Sequence, residues 1–442
     1  MESVKKVQIF PSNRAASNSI YSAKTGNPQV VFQIGNQPMY LDSSSLTLSF
    51  TLRLKDAAGA SPNNNDQANT GVAGEIRTNA HCGAMSVFDS ISITNANNNQ
   101  LEFVRSLPRL ASTIIPYRSN FDDYANDIQF SFGACSNTEA QGMLNNTATQ
   151  VTAPVFAGMF LGGDLIPLGD MGVGGLTLTY NLAASIETLF GAQASAAYYE
   201  IENPVLRCNF VRPVGGQLPA ISNYPYLAYS SYYNTIATND ETQNINCNLA
   251  SVLSTFTNFV PTNWIANSAE DGNSTYELMD GAVGVTSQVP ITRYSTLRSA
   301  MQFPYRFQVD EVSNVQTTPA GGYQTIYEAQ LQRNAFTGAG SAMKDMTNTL
   351  VGNLSGATQA VPAAIPVIDQ HYNSLGLKCF AVGARYDSMS IGEGANFVNR
   401  PFSQRIESRY TSSTGIPVSS YTFMLSKHML SFDDRGSASL AN

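Results

Sequence analysis

Charge is what this sequence has least of. Only 13% of its 442 residues are charged, against about 25% in ordinary soluble domains. Asparagine alone outnumbers lysine and arginine together. The polar surface is therefore built from Asn, Gln, Ser and Thr, which excludes a coiled coil and a charge-rich disordered chain. The 24 basic residues are outweighed by 32 acidic ones, giving a net charge of −8. A coat that holds nucleic acid through its own positive field is disfavoured on that balance. No apolar run reaches the ~18 residues of a membrane span. The opening Met1-Glu2-Ser3-Val4-Lys5-Lys6-Val7 lacks the apolar core of a secretory leader, so the expectation is a protein that is not secreted. The sequons at Asn145, Asn273 and Asn353 are then chance products of the composition.

The residues of common catalytic centres are equally sparse. There are three histidines, His81, His371 and His428, and no CxxC, HxxxH or HExxH spacing. His81-Cys82 is one adjacent pair without partners for a zinc site. His428 lies in an alternating run and reads as a satisfied wall position. The five cysteines (Cys82, Cys135, Cys208, Cys247, Cys379) are scattered singly, which reads as reduced thiols and not as a disulfide frame. No lysine follows a glycine pair as in a phosphate-binding loop. Gly172-Val173-Gly174-Gly175 precedes a strand where a dinucleotide site needs a helix, so it reads as a tight turn. There is no G-x-S-x-G elbow. Asp122-Asp123 and Asp433-Asp434 are adjacent pairs, which point apart on a strand and form no acid–base dyad by spacing. No catalytic residue, metal site or cofactor is expected.

What the chain has is strands. Leu46 to Leu54 places apolar residues on even positions over nine residues, and Leu176 to Leu182 alternates as cleanly. Period two over such lengths marks half-buried strands. Gln29–Ile34, Val87–Ile93, Tyr199–Phe210, Leu253–Pro261, Phe303–Val309, Leu377–Gly383 and Tyr421–Leu430 read the same way. Their Thr, β-branched and aromatic content suits a pleated surface. Helical periodicity is rare. It covers Leu107 to Asp127, where Pro108 and Pro116 interrupt it, and a short stretch near 324–335.

The punctuation of the chain repeats although its residues do not. Each half opens with strands, passes a long polar loop and an irregular region, and closes on a long alternating strand. The reading is an all-β chain of two β-sandwiches: an N-terminal arm at 1–27, a first sandwich at 28–213, a linker at 214–220, a second sandwich at 221–434 and a tail at 435–442. Strands that do not alternate with helices argue against an α/β enzyme. The Tyr-rich run Tyr224 to Tyr233 has two readings, a stacking platform for sugars or bases, or core tyrosines whose hydroxyls reach a rim or interface; the second is preferred. Lys5, Lys6, Arg14 and Lys24 form a small basic patch on an acidic chain.

Several segments carry a likeness to a known family. They are Phe160-Leu161-Gly162-Gly163-Asp164-Leu165-Ile166-Pro167-Leu168-Gly169 with the strand Gly175 to Leu182, the closing strand Tyr199 to Pro213, Cys247 to Leu253 leading into Phe256 to Pro261, and Gly376 to Met389 with the closing strand Val418 to Phe432. In strand order, loop placement and turn residues the whole chain resembles the double jelly-roll major capsid proteins of the adenovirus and tectivirus lineage. Within it the nearest likeness is to polinton-like viruses and virophages.

The resemblance implies two consecutive jelly rolls side by side, a homotrimer of pseudo-hexagonal outline, and capsomers that tile an icosahedral shell around the genome. It implies penton and minor capsid proteins as partners, no specific nucleic-acid site, and residence in the virion after synthesis inside a host cell. Loops at Ala57 to Ala73, Asn263 to Pro290 and Asn314 to Pro366 would build outer towers. Lys5, Lys6 and Arg14 would lie on an interior-facing arm, near an inner membrane or the genome. The alternative reading is a carbohydrate-binding or adhesin-type β-sandwich, which the Tyr-rich run and the sequons favour.

Overall fold

The structure is a computed structural model, described for residues 3–14, 19–24, 26–60, 77–78, 82–118, 131, 149–161, 164–170, 175–190, 197–212, 223–237, 240–261, 305–309, 312–313, 382–386, 394–407, 418–432 and 438–441. The expected helix near 324–335, the linker 214–220, both Asp pairs, the three sequons, His81, His371, Cys135 and Cys379 lie outside these residues. So do the tower loops, apart from 57–60.

Among the described residues the two-fold repeat, to which the other strands are short additions, is carried by sixteen strands. In the first half they are β1 (Ser3–Ile9), β2 (Gln29–Ile34), β3 (Tyr40–Lys55), β4 (Phe88–Asn95), β5 (Gln100–Arg105), β6 (Thr149–Pro154), β7 (Leu176–Leu182) and β8 (Tyr198–Arg212). In the second half they are β9 (Asn223–Ile236), β10 (Asp240–Ile245), β11 (Val252–Pro261), β12 (Tyr305–Val309), β13 (Val312–Ser313), β14 (Val382–Arg385), β15 (Phe402–Glu407) and β16 (Val418–Phe432). The first eight pair in the orders 1-8-3-6 and 2-7-4-5, and the second eight in the orders 9-16-11-14 and 10-15-12-13. Subtracting eight from the second set reproduces the first. Lettered B to I, each set reads B-I-D-G and C-H-E-F, the two sheets of a jelly roll. The repetition seen in the punctuation is thus a repetition of topology.

The first sandwich shows why these residues choose strands. In β7 the odd-face residues Thr177, Thr179 and Asn181 are half-buried, while Leu176, Leu178, Tyr180 and Leu182 are buried. The inner face meets the opposite sheet through an aromatic chain. Phe50 of β3 packs edge-on against Phe88 of β4 at 5.5 Å, Phe88 meets Tyr180 at 4.8 Å, and Tyr180 meets Phe32 of β2 at 6.5 Å. Each such ring removed from water contributes about 2–3 kcal/mol. Gly175, just before β7, has φ +66°, and a Cβ there would fall 2.0 Å from the Ile34 carbonyl oxygen. At this position only glycine is permitted; the rest of the expected turn, Gly172 to Gly174, lies outside the described residues.

Two expectations need correction. Residues 3–9 are not a free arm but strand β1, paired with β8 from Ser3↔Arg212 to Ile9↔Leu206. Val7 and Ile9 pack against the core; their alternation is short, and the adjacent lysines mask it. Likewise Ala438–Ala441, expected as tail, pairs with β16 between Met429 and Phe432. The helix α1 (Leu107–Arg118) forms in spite of two prolines. Pro108 sits in the first turn, where no backbone N–H is needed. The Ser106 carbonyl accepts the Arg109 N–H at 3.0 Å to start the helix.

Candidate functional site at the seam between the rolls

The two rolls meet along one line. The 2-7-4-5 sheet of the first roll and the 9-16-11-14 sheet of the second join edge to edge where β5 and β9 pair in parallel, at Phe103 and Ser230. One parallel pair is a thin ladder, and side chains extend it. The Arg105 N–H donates to Ser231 Oγ at 2.9 Å, and the Tyr226 hydroxyl donates to the Leu101 carbonyl at 3.1 Å.

Between them stands Glu102, only 3% exposed. Its Oε1 accepts the Tyr229 N–H of β9 at 2.8 Å and the Gly158 N–H of the short helix α2 (Gly158–Leu161) at 2.7 Å. Its Oε2 accepts the Met159 N–H at 3.1 Å. A side-chain carboxylate thus does the work of a missing ladder carbonyl and ties three elements together. Burial pushes this carboxyl up to about 7, against the pull of the three N–H donors. Gly158 lets α2 approach, since a Cβ would lie 2.9 Å from Ala228 Cα and 3.0 Å from the Leu227 carbonyl.

A second tie comes from α1. Arg109, 3% exposed, lays its guanidinium 4.0 Å from the ring centroid of Tyr421 on β16. A desolvated cation over an aromatic face is worth about 2 kcal/mol. The Arg109 carbonyl also accepts from Asn258 Nδ2 on β11 at 3.5 Å. Around these contacts one apolar cluster runs from the first roll into Tyr224, Tyr226, Tyr229, Phe256, Tyr421, Phe423 and Leu425 of the second.

The Tyr-rich run is therefore interface and not an open stacking platform: Tyr224, Tyr226 and Tyr229 are buried, and only Tyr233, at 53%, stands well out. His428 stacks on Tyr226 at 5.5 Å and shares a 2.8 Å hydrogen bond with Ser426 Oγ. It is the satisfied wall residue the alternation suggests, and burial lowers its pKa. Lys5 and Lys6, adjacent on β1, fall on opposite faces of that strand and are both exposed. Arg14 lies beyond it, its guanidinium 5.7 Å from the Phe10 ring centroid. β1 ends its sheet, and lysines on an edge strand also hinder unwanted strand pairing. Among the described residues no group of three His, Cys, Asp or Glu side chains is placed to hold a metal.

Sequence reasoning did not single out Glu102, Gly158 or Arg109. The one available signal was a carboxylate set between Leu101 and Phe103-Val104 in a strand, where charge is out of place.

The fold and the seam together define a class: the chain has the double jelly-roll architecture of viral major capsid proteins. It is similar to VP54 of the virus PBCV-1, with a TM-score of 0.60 and 12% identity over 100% of this chain and 97% of that one. It is similar to the Faustovirus major capsid protein, with a TM-score of 0.57 and 11% identity over 98% of this chain and 91% of that one. A chain of the Sputnik virophage matches with a TM-score of 0.51 and 13% identity, over 99% of this chain and 88% of that one. No protein-family profile and no curated sequence matches the chain.

Proposed function

We propose that this protein is a viral major capsid protein whose work is assembly and not catalysis. The observation that carries the reading is the repeated jelly-roll topology fused through one continuous core. Two like rolls held rigidly side by side give a single chain two near-equivalent lateral faces. Three chains then form a six-roll capsomer of pseudo-hexagonal outline, which tiles a shell around the genome. The low charge suits this, because faces that must meet copies of themselves cannot carry large like charges. Lys5, Lys6 and Arg14, on and just beyond β1, turn toward the shell interior. Penton and minor proteins close the vertices and gaps. The protein is made inside the host cell and resides in the virion. The carbohydrate-binding alternative loses its main support, because the tyrosines it requires are buried in the seam.

Light scattering after size exclusion tests the proposal. Three chains of 47.5 kDa, about 142 kDa, or shell-sized particles seen by electron microscopy, are the expected species. A stable monomer that never assembles over a wide range of salt and concentration would overturn it.

A further inference from the structure

We propose that Glu102 is a proton-operated clamp that sets how tightly the two rolls are held together, whatever the chain assembles into. The geometry carries it. One buried carboxylate receives N–H groups from α2 and from β9, at the one place among the described residues where the two sheets share a ladder. Whatever charge this group carries must be borne inside the seam or released by opening it to water.

The surroundings leave the charge uncompensated by any cation among the described residues. Helix α2 brings no ionisable side chain. On β4, Ile93 lies opposite Glu102, and Asp89 is a further carboxyl whose pKa burial raises and Arg105 pulls back. On β9, burial raises the pKa of Tyr226, and Glu102 itself adds to that upward push. Behind Tyr226 lies His428 of β16. The cations nearest along the chain are held elsewhere, Arg105 over Phe103 at 5.3 Å and Arg109 over Tyr421.

The direction of the effect follows from linkage. The folded carboxyl titrates near 7 and an unfolded one near 4.5. Between those values the closed seam binds a proton that the open one does not. Its contribution is complete below the unfolded value and is lost as pH rises through about 7. Acid therefore tightens the seam and mild alkali loosens it. His428 acts in the opposite sense, since its pKa is lowered, but only below its ordinary range near 6.5.

The experiment compares thermal stability of the full chain at pH 5, 6, 7 and 8 for wild type, Glu102→Gln and Gly158→Ala. Gln cannot ionise and sets its amide group against a backbone N–H, so it is less stable throughout but lacks this pH response. The opening equilibrium of wild type relative to Glu102→Gln should rise by on the order of a hundredfold from pH 5 to 8. Gly158→Ala strikes the β9 backbone without touching the charge, and should weaken the seam while keeping the wild-type profile. Parallel wild-type and Glu102→Gln profiles would overturn the proposal. If Glu102→Gln does not fold, hydrogen exchange of the wild type decides. After correction for intrinsic rates, peptides over Gly158–Leu161 and Asn223–Ile236 should lose protection from pH 6 to 8 relative to Tyr198–Arg212. Unchanged relative protection would reject the clamp.

Discussion

Gln404 sits where a jelly roll ordinarily keeps its oil. It is fully buried between the sheets of the second roll. Its Nε2 donates to Gln243 Oε1 at 2.7 Å and to Thr422 Oγ1 at 3.1 Å, and its Oε1 accepts from Thr257 Oγ1 at 2.8 Å. Ser420 Oγ adds a bond to Gln243 Oε1 at 2.8 Å. The network is connected but not closed, since Gln243 Nε2 has no partner among the described residues. Removing one member strands the others, and each stranded buried group costs about 1–3 kcal/mol. Gln404→Leu is therefore expected to destabilise the chain by about 2 kcal/mol despite adding apolar surface. Gln243→Leu with Gln404→Leu removes both sides at once and should cost clearly less than the two single changes added together. Denaturant unfolding of the four proteins in the cycle measures this, and strict additivity would mean that the amides are not coupled.

At the scale of elements, the same polar layer explains what periodicity could and could not find. β2 and β7 match their sequence-read bounds, and β3, β4, β8, β11 and β16 differ by a few residues at their ends. Each of these carries a run of apolar or aromatic residues that alternation can register. β10 (Asp240-Glu241-Thr242-Gln243-Asn244-Ile245) and β15 (Phe402-Ser403-Gln404-Arg405-Ile406-Glu407) escaped notice because the residues facing inward include glutamine. β5 and β6 are as long as β2 but carry less apolar pattern: Glu102 breaks the apolar face of β5, and β6 buries only Val151 and Ala153. The seam was legible only as a cluster of tyrosines. Its carboxylate depends on a strand 127 residues away, at Tyr229, and its glycine on Leu227 and Ala228 of the same strand, distances that local pattern cannot contain. β1 offers the sharpest test at this scale. If residues 1–11 formed a free arm, deleting them would leave the melting temperature unchanged. As a strand with Val7 and Ile9 packed on the core, its loss uncovers the edge of β8. The deletion should lower the melting temperature by several degrees, about 2–4 °C for each kcal/mol lost, and promote aggregation visible by light scattering.

At the scale of the molecule, the two rolls are not equivalent partners. In β16, Tyr421, Phe423 and Leu425 belong to the core cluster shared with the first roll. On the opposite face Thr422 and Ser420 join the polar network inside the second roll, with Met424 between two hydroxyl residues. β11 repeats the arrangement: Phe256 stacks on Phe423 at 5.3 Å, while Thr257 faces Gln404. The major sheet of the second roll thus turns an apolar face to its neighbour and a polar one to its own interior along these residues. Such a sheet gains much of its stability by docking, since apolar burial at about 25 cal/mol per Å² is the main favourable contribution. The second roll should therefore depend on the first. Calorimetry of the whole chain is expected to give one endotherm, because opening the seam removes the burial that keeps the second roll folded. A fragment starting at residue 221 should be insoluble or molten, with strong binding of a hydrophobic dye. Two resolved endotherms, or a fragment that melts cooperatively at the temperature of the whole chain, would show instead that each sandwich stands by itself and that the seam only aligns them.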